Sequence, residues 1–144
     1  MKNGFTLVEV LVALTIIATI TIVVMQIYMT ITKVEVEAEE EDYARITIQN
    51  IHSAFFSDPE SWEEVLYASY DVNAPSEFDS MLRFDANWQL LEATETAVYT
   101  IDYDYGETYD DEADRTVYDL SIDEIASEQR VIFSNIDLGK MVSP

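Results

Sequence analysis

A lone carboxylate stands at the mouth of an apolar run: Glu9 precedes a stretch from Val10 to Thr32 that carries no charge. Placing an acid inside a membrane helix costs up to about 3 kcal/mol at the centre and less near the interface. Glu9 therefore wants a cationic partner, or it sits solvated at a headgroup boundary. A second chemical feature is the run from Asp102 to Asp114, with seven carboxylates and one glycine, Gly106. Calcium takes six to eight oxygens from flexible loops, so Asp102, Asp104, Asp110 and Asp111 are its candidate ligands. The spacing is not that of an EF-hand, and the favoured alternative is a solvated hairpin tip whose charge blunts sheet edges. Other chemistries are short of parts. Cysteine is absent and His52 is the single histidine, which excludes thiolate sites and disulfides and argues against a multi-histidine metal centre. Glu63 and Glu64 are an acid pair with no nucleophile or base beside them in the pattern, so an enzyme is the weakest reading.

The elements that hold these residues follow from charge and periodicity. The chain has 144 residues and a formal net charge of −22. Two lysines and one glutamate lie in residues 1–33, so nearly all of the acid lies beyond them. Such a polyanion repels phosphates, which argues against direct binding of nucleic acid. The uncharged run is about 35 Å long as a helix, enough to cross a bilayer. A conventional cleaved signal peptide fits poorly, because the run is too long and Glu9 opens it. Lys2 and Lys33 flank the run and leave its orientation open; a strongly acidic domain beyond it is compatible with N-in, C-out. Thr15, Thr19, Gln26 and Thr30 share one side of this helix. Such a polar stripe is read as a contact line between helices, or as hydroxyls that bond back to their own backbone.

No glycine or proline occurs between Gly4 and Pro59, so residues 5–56 read as one helix, weakest at the like charges of Glu35 to Asp42. Ala44, Ile48, Ile51 and Phe55 give its second half one apolar face. Asp58 and Pro59 read as the N-cap and first position of a short helix carrying Trp62, Val65 and Leu66. His52 reads as a partly buried packing residue. Period two then takes over: Met81–Asp85, Trp88–Leu91, Ala97–Tyr105, Thr116–Ile122 and Arg130–Ile136 read as strands. The expected fold is α+β, one long N-terminal helix on a four- or five-stranded antiparallel sheet.

The first residues, Met-Lys-Asn-Gly-Phe-Thr-Leu-Val-Glu, resemble the class III signal of type IV pilins and of the pseudopilins of type II secretion. The resemblance covers residues 1 to about 30. It implies that a prepilin peptidase cuts after Gly4 and methylates the new amine of Phe5. It further implies that Glu9 pairs with such an amine on a neighbouring subunit, fixing axial register much as a buried polar residue does in a coiled coil. Thr15, Thr19, Gln26 and Thr30 would then face another subunit.

The implied organisation is a cleaved leader (1–4), a transmembrane and assembly helix (5–33), its continuation packing on the head (34–56) and an acidic extracytoplasmic α+β head (57–144). The implied partners are the prepilin peptidase, other pilin or pseudopilin subunits and an inner-membrane assembly platform. Some pseudopilins bind calcium in their heads, which adds weight to the acidic hairpin as a calcium site; no other cofactor is implied. Major pilins often carry a helix-breaking glycine or proline in the membrane helix and a C-terminal disulfide loop. This chain has neither, and its Glu-Val-Leu-Val-Ala-Leu continuation is more similar to minor pilins and minor pseudopilins. The competing reading is a single-pass, membrane-anchored extracellular binding module, such as a calcium or ligand receptor, that never assembles and for which Gly4, Phe5 and Glu9 would have no use.

Overall fold

The computed structural model describes residues 6–142. The chain divides into two compact units, residues 1–39 and 40–144. Helix α1 (Leu7–Ser57) forms because nothing in it breaks a helix, and it ends where Pro59 removes a donor and restricts the residue before it. It continues through Glu35–Asp42 despite the like charges there. Lys33 offsets one of them with an i,i+4 pair to Glu37 at 3.7 Å, largely exposed and worth a few tenths of a kcal/mol. The apolar N-terminal part of α1 is long and apolar enough to cross a membrane.

In residues 40–144, Ala44, Thr47, Ile51, Ala54 and Phe55 of α1 are buried, the face that the spacing predicts with Thr47 and Ala54 added. Helix α2 (Trp62–Ser69) buries Trp62, Leu66 and Tyr67. Its start differs from expectation. The N-cap is Ser61, without a side-chain cap bond, and not Asp58. Asp58 Oδ1 instead accepts the Ser61 N–H at 3.3 Å, closing a turn that delays the helix by three residues.

Four strands follow in an antiparallel meander of order β1-β2-β3-β4: β1 (Met81–Phe84), β2 (Tyr99–Asp110), β3 (Arg115–Ser127) and β4 (Val131–Val142). The expected strand at Trp88–Leu91 is not one. Asp85 Oδ1 accepts the N–H groups of Asn87 (2.7 Å) and Gln89 (2.9 Å), and Trp88 takes a φ of 58°. That tight turn leaves a single bridge, Phe84 to Leu90. It also lays the Trp88 ring on Tyr99 at 4.3 Å.

The core face of β2 carries Tyr99, Ile101 and Tyr103, and that of β3 carries Tyr118, Leu120, Ile122 and Ile125. The last two break strict alternation. Asp102 pairs with Glu124 and Tyr103 with Ile122, so Asp123 is an extra residue. That bulge turns Ile125 back to the core. Together with Phe55, Trp62 and Leu66 these side chains form one apolar cluster. Each large member contributes about 1.5–3 kcal/mol of burial.

Candidate functional site

At the N-terminus the structure supplies a partner for Glu9 that the sequence reading missed. Its Oε2 accepts from the Thr6 N–H at 2.9 Å and from the Thr6 hydroxyl at 3.0 Å, while the Glu9 N–H donates to Thr6 Oγ1 at 3.3 Å. This is a capping box: a threonine before the first turn and a glutamate three residues on satisfy each other's backbone donors. The Thr-x-x-Glu spacing before an apolar run was the signal for it. Gly4 and Phe5, the expected cleavage and methylation pair, lie outside the described residues.

Within the apolar part of α1, Thr15 donates to the Leu11 carbonyl (2.9 Å), Thr19 to that of Thr15 (2.8 Å) and Thr30 to that of Gln26 (2.9 Å). Thr21 and Thr32, off the stripe, do the same. The threonine hydroxyl protons are thus spent inside the helix, and the threonines of the stripe offer a neighbour small side-chain surfaces rather than donors.

The acidic run is not a loop. Strand β2 extends to Asp110, and only residues 111–114 form the turn. The four candidate calcium ligands are therefore spread along a strand. At about 3.4 Å per residue, Asp104 and Asp110 stand about 20 Å apart. Asp110 Oδ1 is used by the turn, accepting the N–H groups of Glu112 (3.1 Å) and Ala113 (3.3 Å). Asp102 lies opposite Met81 and Glu124, and Asp104 opposite Ser121. The structure does not bring Asp102 and Asp104 together with Asp110 and Asp111. No group of three or more acid or histidine side chains is arranged to hold a metal among the described residues.

Two polar ties are built into the core side of the head. Glu40 receives Arg130 Nε at 3.1 Å and Nη2 at 2.8 Å, and the Tyr99 hydroxyl at 3.2 Å. Glu63 accepts the Tyr103 hydroxyl at 3.0 Å. Burial pushes the Glu63 carboxyl above its ordinary value, against the pull of that hydrogen bond. Burial, with the Glu63 charge beside it, also raises the Tyr103 phenol. Glu64 is exposed, so the two neighbouring acids point to different surroundings and form no dyad. His52 is exposed as well, against expectation, because it falls one position past the buried Ile51; its ring stacks on Phe56 at 4.2 Å.

The long N-terminal helix and the four-stranded antiparallel sheet give an α+β, pilin-like architecture, and the apolar part of the helix fits a membrane-anchored protein. Residues 1–25 match the prokaryotic N-terminal methylation motif, the class III signal peptide of type IV pilins and pseudopilins. The motif, which covers only the first 25 residues, supports a pilin-like or pseudopilin precursor of the kind that prepilin peptidase processes, and proteins that carry it are structural and non-enzymatic. No curated protein and no solved structure gives a match.

Proposed function

We propose that this chain is a minor subunit of a type IV pilus or of a pilus-like type II secretion filament. It enters the cytoplasmic membrane N-in and C-out, with residues 1–4 as leader and residues 5–33 as the membrane and assembly helix. The peptidase cuts after Gly4 and methylates Phe5, and the assembly platform then draws the subunit into the filament beside other pilin or pseudopilin subunits. In the filament the Glu9 carboxylate pairs with the amine of a neighbour, and the side of the helix bearing Thr15, Thr19, Gln26 and Thr30 packs on another subunit. The match of residues 1–25 to the methylation motif carries this reading. A chain without cysteine, and without glycine or proline between Gly4 and Pro59, supports the minor role.

The test is the mature mass after co-expression with a prepilin peptidase. Loss of residues 1–4 and one added methyl group at Phe5 are expected; an intact Met1 terminus overturns the proposal. For the minor role, quantitative mass spectrometry of sheared filaments should find this chain at a small fraction of the bulk subunit.

A further inference from the structure

The sheet has two outer edges, and they are built differently. At one edge lies β4. Ile132 and Leu138 are extra residues in its register against β3, and Asn135 (φ 55°) and Gly139 (φ 96°) occupy the left-handed region. Bulges and kinks of this kind spoil an edge as a template for a further strand. At the other edge β1 has four residues and pairs only with Tyr99 to Asp102 of β2. The last bond across that pair runs from the Tyr103 N–H to the Ser80 carbonyl at 3.1 Å. Pairing ends at Ser80, whose φ of 60° is not that of a strand. β2 continues to Asp110.

Alternate residues of an antiparallel strand turn both N–H and C=O to the same side. In phase with Tyr103, residues Tyr105, Glu107 and Tyr109 turn theirs to the open side. Opposite them, Tyr103 to Asp110 hold unbroken register with Ile122 to Arg115 of β3, and the segment has no proline. Gly106 to Tyr109 are exposed. This half-strand is regular, and charge alone guards it: Asp104, Glu107 and Asp110, on a chain of net charge −22. The guard is selective. It repels a second copy of this chain and any acidic strand, and it attracts a cationic one.

We propose that the open edge of β2, Tyr105 to Asp110, docks an extended, lysine- or arginine-bearing segment of a basic partner protein, which adds a fifth strand to the sheet. The main-chain ladder supplies affinity and the side chains supply choice. Asp104 and Asp110 face one side of the sheet and Glu107 the other, so cations at alternate positions of the guest find carboxylates on either face. The Tyr109 ring, 56% exposed, offers its face to an arginine. The proposal stands on the sheet edge and does not depend on filament assembly.

The probes are three synthetic peptides of about eight residues, the length of a typical strand: alternating lysine and valine, alternating lysine and proline, and alternating glutamate and valine. They are titrated against the full chain in a non-ionic detergent, with amide hydrogen exchange read by residue. The lysine–valine peptide is expected to bind at least about tenfold more tightly than the lysine–proline peptide. It has the same charge but can form a ladder, and it should slow exchange at Tyr105, Glu107 and Tyr109. The glutamate peptide should not bind. Glu107→Pro removes one open-side N–H and leaves the β3 ladder intact, so it should abolish binding of the lysine–valine peptide. Should that variant fold poorly, the comparison of peptides on the unmodified chain decides. Equal binding of both lysine peptides, no binding, or protection confined to β4 overturns the proposal.

Discussion

Glu9 has two claims on its carboxylate. In the single chain it caps its own helix through the Thr6 N–H and hydroxyl; in the proposed filament it pairs with a neighbour's amine. Charge separates the two roles, because glutamine keeps an acceptor oxygen for the cap and loses the ion pair. Glu9→Gln is therefore expected to be cleaved and methylated normally yet to fail to enter filaments, as is Glu9→Ala. Thr6→Ala, which weakens the cap by about 0.5–2 kcal/mol, should still be incorporated. Immunoblots of sheared filaments read the outcome, and wild-type incorporation of Glu9→Gln would leave Glu9 as a cap alone. Glu63 makes the second residue-scale prediction. Its folded pKa lies above the ordinary 4.5 because of burial. Its contribution to stability is therefore fully present below 4.5 and is lost as pH rises through the folded value. Glu63→Gln keeps an acceptor for Tyr103 and removes the buried charge. It should raise the unfolding free energy read from urea denaturation at pH 8 by less than about 1 kcal/mol, and the gain should shrink as pH falls toward 4.5. At this scale the sequence displayed the need of Glu9 for a partner but not the choice of Thr6, although Thr-x-x-Glu was in plain view. It displayed the acids of β2 but not their separation, because a count of carboxylates carries no information on whether the backbone is loop or strand.

The second half of α1 was legible from its apolar spacing, since Ala44, Ile51 and Phe55 are buried as that spacing demands. The strands were legible as alternation, with errors where local hydrogen bonding overrode it. Asp85 gathers two backbone donors and curls Trp88–Leu91 into a turn. The bulge at Asp123 lets β3 run five residues past the point where its alternation fails at Ile122. No local pattern announced the tie between Glu40 of α1 and Arg130, because it joins positions 90 apart in sequence. This tie anchors the β3–β4 turn to α1. Its side chains are 30% and 20% exposed, whereas those of the Lys140–Asp119 pair are 68% and 44% exposed. Arg130→Ala strands a half-buried carboxylate and should cost about 1–3 kcal/mol. Lys140→Ala breaks a solvated pair and should cost less than about 0.5 kcal/mol. Thermal melts of the two variants side by side measure the difference, and equal losses would show that burial does not set the strength of these pairs.

The excess of acid acts on the whole molecule as a constraint on its surroundings. A net charge of −22 destabilises a compact state by self-repulsion, and ion pairs such as Lys33–Glu37 and Lys140–Asp119 are largely exposed and offset little of it. Screening should relieve that strain. Raising sodium chloride from about 0.05 M to about 0.5 M shortens the screening length from about 14 Å to about 4 Å. The melting midpoint of the full chain in detergent should rise by several degrees, on the order of 1 kcal/mol. The ion's identity is the sharper question. Since Asp102 and Asp104 stand far along β2 from Asp110 and Asp111, divalent cations should act as an atmosphere and not through a cage. Calcium and magnesium at matched ionic strength are then expected to raise the midpoint equally. A built calcium site would instead favour the larger ion with its six to eight oxygens, adding a stabilisation that grows with the logarithm of its concentration. The same field bears on assembly: heads of like charge packed side by side repel one another at low salt. A subunit present in few copies, flanked by less acidic neighbours, avoids that cost, whereas a filament built mainly of this chain would need high salt to hold together.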